Sequence, residues 1–144
     1  MLKTETVKIA NEKKFGRDVD KIFRLKEMSA MAKEKWSAKL YGLTMKASAK
    51  IPTEKLLEIE KTKNESSATL AIGLLNDTAP TEMSEYLELQ NEHLYCYEIF
   101  DNIKEQYVKI TPENIDNYIE EVETLQFLRN KAIEFNMSFM KGNR

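Results

Sequence analysis

A chain of 144 residues, 42% hydrophobic and 32% charged, is long enough to bury a core and ordinary in composition for one globular domain. Its single cysteine excludes an internal disulfide, its single histidine excludes a di-metal bundle site, and its formal charge of −2 excludes a uniformly basic nucleic-acid binder. That net charge hides an asymmetry. Residues 1–50 hold 13 Lys/Arg and 6 Asp/Glu, and residues 51–144 hold 9 and 18. Either the two ends attract each other or a neighbouring copy, or the charges are ordinary solvated faces. Three prolines and four glycines over this length favour helix. Met1 opens a charged segment unlike a signal peptide, and no apolar run approaches a membrane span, so a reducing, cytoplasmic setting is expected.

In chain order, residues 4–9 alternate weakly and predict a strand. A polar loop with Gly16 follows over residues 11–20, and Lys21–Lys26 alternates again. Two such strands make a hairpin, which must pack on something else to persist. Ser29 is placed to cap a helix, and helix-compatible sequence runs to about Ala49. At 100° per residue this helix has two apolar faces. Met28, Ala32, Trp36, Leu40, Leu43 and Ala47 form a broad one. Met31, Ala38, Gly42, Met45 and Ala49 form a second, of small and flexible residues, with Lys35, Lys39, Lys46 and Lys50 between the two. A helix with two apolar faces is built for burial on two sides, one of them outside its own fold.

Pro52 ends that helix, because the residue before a proline is pushed out of helical geometry. Thr53 then caps a short helix carrying Leu56 and Leu57, and residues 61–67 are polar enough for a loop. Ala68–Leu75 is the most apolar run; length alone does not separate helix from buried strand, and helical surroundings favour helix. After a turn at residues 76–80, Thr81 starts a helical stretch with Met83, Tyr86, Leu87, Leu94, Ile99 and Ile103 as core candidates and a break near Asp101 and Asn102. Thr111-Pro112-Glu113 is a strong helix start, combining a capping hydroxyl, a proline at the first helical position and an acid in the first turn. A helix from there to Met140 would be about 40 Å long. One stripe holds Ile115, Tyr118, Ile119, Val122, Leu125, Ala132 and Ile133, and a second holds Leu128, Phe135 and Phe139. Arg129 and Asn136 interrupt any heptad seam. The fold expected is therefore mainly α: a single compact multi-helix domain over residues 1–144, with a short N-terminal β-hairpin in residues 1–27, helices over 28–144 and a long C-terminal helix.

No stretch carries the signature of an active site. His93 and Cys96 stand one helical turn apart, a two-ligand spacing, but no further Cys or His exists to complete a zinc site. Nothing accompanies them that would serve as an oxyanion site. Glu82, Glu85, Glu88 and Glu92, and again Glu120, Glu121 and Glu123, read as solvated helix faces. Phosphate-binding, dinucleotide, zinc-protease and EF-hand motifs are all missing. The expectation is a protein that is not an enzyme and needs no cofactor or metal.

Two blocks carry a family resemblance. The first is Gly16-Arg17-Asp18, Lys21-Ile22-Phe23-Arg24-Leu25 and Glu27-Met28, followed by Ala32, Glu34-Lys35-Trp36-Ser37 and Leu40. The second is Ile110, Asn114-Ile115, Ile119-Glu120-Glu121-Val122, Thr124-Leu125, Leu128-Arg129 and Phe135. In this order and separation they resemble tail assembly chaperones of long-tailed (siphovirus-type) bacteriophages and prophages. The middle of this chain is poorer in Gly and Ala, and Asn136-Met137 stands where the family commonly has Leu-His. The resemblance implies a cytoplasmic factor of the bacterial host, absent from the mature virion. Such a factor binds the tape-measure protein, keeps it soluble and helps tail-tube protein assemble around it. Homo-oligomer formation is expected, and membrane and nucleic-acid partners are not. The partner- or self-binding residues selected from the sequence are Met31, Ala38, Gly42 and Met45, with Phe127, Phe135 and Phe139. Lys35, Lys39, Lys46 and Lys50 are candidates for electrostatic contact. The alternative reading is a small helical nucleic-acid-binding or regulatory protein that uses the basic N-terminal third.

Overall fold

The computed structural model describes residues 1–54 and 77–141. The chain divides into two compact units, one made of Met1–Lys33 with Gln90–Arg144 and the other of Glu34–Leu89. The short helix at Leu56 and Leu57, the loop at 61–67 and the apolar run at 68–75 lie outside the described residues.

The first unit is built on a four-stranded antiparallel sheet in the order β1-β2-β3-β4. Its strands are β1 (Thr4–Lys8), β2 (Ile22–Lys26), β3 (Tyr97–Asp101) and β4 (Gln106–Lys109). The predicted N-terminal hairpin is present, with Val7 opposite Phe23 and Thr4 opposite Lys26. It is half of the sheet. β3 continues from β2 with Ile99 opposite Phe23, and β4 closes the sheet with Val108 opposite Ile99. The expectation of a mainly α domain with one hairpin is thus corrected to a mixed α/β fold. The reason lies in the residues of β3: Tyr97 and Ile99 are buried while Glu98 between them is not, the period of two that a strand requires. Asp101 makes the turn, its Oδ1 accepting the backbone N–H groups of Ile103 (2.9 Å) and Lys104 (3.1 Å). Ile103, a candidate for the core of a helix, stands at the hairpin tip and is 95% exposed.

One face of this sheet carries the core. Val7, Ile9, Phe23, Leu25, Tyr97, Ile99 and Ile110 cluster with Leu128 and Ala132 of α5 (Val122–Met137). Each large apolar side chain removed from water there contributes roughly 1.5–3 kcal/mol before entropy is charged against it. The Tyr97 hydroxyl is satisfied inside the core by donating to the Leu128 carbonyl at 2.7 Å. A short α1 (Glu12–Phe15) joins β1 to β2 and sets Phe15 against Phe127, ring centroids 5.3 Å apart.

The long C-terminal helix is also corrected. Thr111 does cap a turn, reciprocally with Asn114: Thr111 Oγ1 accepts the Asn114 N–H at 3.3 Å, and Asn114 Oδ1 accepts the Thr111 N–H at 2.8 Å. The helix it starts, α4 (Ile115–Tyr118), is only four residues long. Ile119 and Glu121 are extended, α5 begins at Val122, and a 3-10 turn over Ser138–Lys141 follows it. Val122, assigned to a core stripe, is 62% exposed, whereas Ile115, Ile119, Leu128 and Ala132 are buried as expected.

α2 (Ala30–Ala49) begins in the first unit and continues through the second. Ser29 caps it as predicted, its hydroxyl accepting the Ala32 N–H at 3.2 Å. In the second unit Trp36 and Leu43 are buried, and the Trp36 indole N–H donates to the Leu89 carbonyl at 2.8 Å. Leu89 belongs to α3 (Pro80–Asn91), which starts one residue before the expected Thr81. Of the apolar candidates on α3, Tyr86 and Leu87 are exposed rather than in the core.

Candidate functional site

A heavily connected polar group in the first unit is Asp18, which is completely buried. It lies between α1 and β2, and its carboxylate accepts the backbone N–H groups of Glu120 (3.0 Å) and Glu121 (2.8 Å) and the Lys21 ammonium (2.7 Å). Burial alone would push the Asp18 carboxyl up. The Lys21 ammonium and the backbone donors outweigh burial and hold it below the usual carboxylate range. Lys21 Nζ also donates to the Tyr118 carbonyl at 2.8 Å, and Arg17 pairs with Glu121 at 2.9 Å. Gly16 sits at φ +49, which favours glycine, and a Cβ there would stand 2.1 Å from Glu121 Oε2, so the Glu121 side chain would have to move. The two backbone N–H groups that Asp18 holds are those that a helix continuing from Tyr118 would have used. A contact some hundred residues away in sequence therefore breaks the helix at Ile119. Gly16-Arg17-Asp18 and Ile119-Glu120-Glu121, drawn from the two separate blocks of the resemblance, form one clasp. Its charges are mutually satisfied, and the reading of Glu120 and Glu121 as merely solvated is corrected.

A second buried polar group joins His93, Cys96 and Asn136. Asn136 Oδ1 accepts the Met28 N–H at 2.8 Å, while its Nδ2 lies 3.4 Å from His93 Nδ1 and 3.8 Å from Cys96 Sγ. The residue set has the composition of a thiol-hydrolase triad, but the electrostatics run the wrong way. Burial lowers the His93 pKa to about 4 and raises that of the Cys96 thiol. A neutral imidazole beside a protonated thiol is no activated nucleophile. Asn136, which spoils a helical seam in sequence, instead ties α5 to the segments before α2 and β3. Among the described residues no group of three or more His, Cys, Asp or Glu side chains is arranged to hold a metal.

The sequence-selected α2 face is, by contrast, open. Met31 is 85% exposed and Met45 55%, and Ala38 and Gly42 are exposed as well. A Cβ at Gly42 would meet nothing within 4 Å. Within the second unit, Lys39, Gly42, Leu43, Lys46, Glu85 and Leu89 line a groove of about 320 Å³. Glu85 and Leu89 come from α3 and were not selected from sequence; only their spacing of four, one helical turn, hinted that they share a side.

The other candidates divide. Phe127 and Phe135 are half-buried and pack on the core of the first unit, and Phe139 is half-buried. Phe127 keeps one edge in a cleft of about 390 Å³ with Lys14, Asn130 and Lys131. Of the lysines, Lys35, Lys39, Lys46 and Lys50 are all exposed, and Lys50 is paired with Glu82. Much of the charge asymmetry closes inside the chain. Arg17, Lys21, Arg24, Lys26 and Lys50 of the basic segment meet Glu120, Glu121, Glu98 and Glu82 of the acidic one. No helix among the described residues is long and apolar enough to cross a membrane.

No protein-family model, curated protein or solved structure matches the chain.

Proposed function

We propose that the protein is a non-catalytic assembly chaperone of a long-tailed bacteriophage or prophage. It acts in the host cytoplasm, stays out of the finished virion, and holds an apolar helical segment of the tape-measure protein while tail-tube protein assembles. The observation that carries this reading is the exposed face of α2. Met31, Ala38, Gly42 and Met45 offer small and flexible apolar contacts to solvent, and Gly42 lines a groove with Leu43 and Leu89 within the second unit. Such a surface suits an amphipathic helix, which needs close backbone approach at Gly42 and adaptable contact at the methionines. Arg17 and Asp18 from one block of the resemblance bind Glu121 and Glu120 from the other, so both blocks serve the fold rather than the client.

The basic segment gives less support to nucleic-acid binding, since five of its cations already hold carboxylates of the same chain. The test is co-expression with a tape-measure protein of the phage or prophage that carries this gene. The client should become soluble and co-purify. A client that stays insoluble, with this protein recovered alone, would remove the reading.

A further inference from the structure

The sheet has two edges, and the two are treated differently. The Ile9 N–H donates to the Lys21 carbonyl and the Glu27 N–H to the Lys3 carbonyl, both at 2.9 Å, so the bonded pairs of the β1–β2 ladder fall on the odd residues of β1. Antiparallel pairs alternate. Glu5 and Val7 therefore turn their backbone groups to β2, and Thr4, Thr6 and Lys8 turn theirs outward. Among the described residues no backbone group bonds these three from the outer side, and Thr4, Glu5, Thr6 and Lys8 are all exposed. At the other edge the outward groups of β4 belong to Tyr107 and Lys109, and Asn114 Nδ2 donates to the Lys109 carbonyl at 2.8 Å. β1 has no such cover, and no proline or bulge that would discourage pairing.

The strand is also matched to itself. Thr6 is the centre of Thr4–Lys8, so two antiparallel copies centred there overlap over their whole length. Thr6 then lies opposite Thr6, Thr4 opposite Lys8 and Glu5 opposite Val7, and the outward backbone groups fall on the bonded positions of the new ladder. A shift of two residues in one direction sets Glu5 against Glu5, which repels. The same shift in the other direction carries Thr4 past the end of the facing strand, onto Ala10. Both charges of the strand have a counter-charge in their own chain: Glu5 lies 3.4 Å from Lys131, and Lys8 lies 4.0 Å from Asp20. We infer that β1 pairs with β1 of a second copy about a twofold axis at Thr6, joining the two sheets edge to edge. Paired residues point to one face, so α5 of each copy lies on the same side of the joined sheet, and the threonines meet on the other. This interface uses neither α2 nor the clasp.

The edge is tested in the full-length protein by sedimentation velocity and amide hydrogen exchange. The wild type should sediment as a dimer at high concentration and dissociate on dilution. The Thr6 amide should exchange slowly in the dimer and fast in the monomer, because its only partner is the second copy. Thr6→Pro removes the outward N–H and spares the β1–β2 ladder, which uses Glu5 and Val7, so the variant should be a folded monomer by circular dichroism. Thr6→Lys and Thr6→Glu each set like charges across the axis, and each should be monomeric where the wild type is dimeric. Mixed in equal amounts, these two should form dimers again. A wild type that is monomeric at every concentration, or a dimer whose Thr6 amide exchanges fast, would overturn the inference without recourse to any variant. Folded Thr6→Pro that dimerises as the wild type does, or a mixture of the folded charged variants that stays monomeric, would overturn it as well.

Discussion

The clasp at Asp18 and the outer face of α2 are opposite kinds of surface. In the clasp every charge has a partner within the chain: Asp18 is fully buried, Lys21 is shared among three acceptors, and Gly16 packs against the Glu121 carboxylate at positive φ. On α2 the apolar side chains at 31 and 45 are left in water, and Gly42 has empty space around it. Burial and saturation mark residues whose work is to hold the fold. Apolar side chains grouped on one exposed helix face suit contact with another molecule. If that contrast is right, substitutions in the clasp should cost stability, and substitutions on α2 should cost association.

The largest effect should come from Asp18→Ala. It leaves the Lys21 ammonium and two backbone N–H groups without their buried acceptor, and should lower unfolding stability by about 3–5 kcal/mol in a denaturant titration. A loss near zero would erase the contrast. Next comes pH. His93 has a folded pKa of about 4 against an ordinary 6.5, so the unfolded chain binds the extra proton between these values. Stability should therefore fall as pH drops from 6.5 to 4, by about 3 kcal/mol. Asp18, held below its ordinary range, adds its own loss only at more acid pH. His93→Gln, which keeps an acceptor for Asn136, should flatten the upper window and leave the acid limb in place. Gly16→Ala should cost about 2 kcal/mol from positive φ, with further loss where the methyl group displaces Glu121. The smallest change is the sharpest. Gly42→Leu replaces a helix-interior glycine facing open space, and should raise stability by up to about 1 kcal/mol while weakening client capture.

How much of this was readable in the residues depends on the range of the interaction that decides each element. Local signals are sufficient for the N-terminal hairpin, the Ser29 cap and the end of α2 before Pro52, which rest on neighbours in sequence, whereas Thr111 closes only a turn and the helix begins later, at Ile115. β3 and β4 were hidden because Tyr97–Asp101 alternates over only five residues, and its partner Phe23 is far away in sequence. The break between α4 and α5 was hidden for the same reason, since Asp18 imposes it from the other end of the chain. Asn136 looked like a flaw in a seam because its hydrogen bonds reach Met28 and Cys96. For the site, a helical projection was enough to find the exposed face of α2, which is a property of one helix. It could not find Glu85 and Leu89 across the groove, because they belong to a second helix.

The central claim is that α2 binds the client and the clasp does not. The most direct measurement is capture of co-expressed tape-measure protein by Gly42→Leu, Met45→Glu beside the wild type, with thermal unfolding recorded for both. The account predicts a folded variant of undiminished stability that recovers far less client. Equal recovery by a folded variant would contradict it, and would move the binding surface off α2.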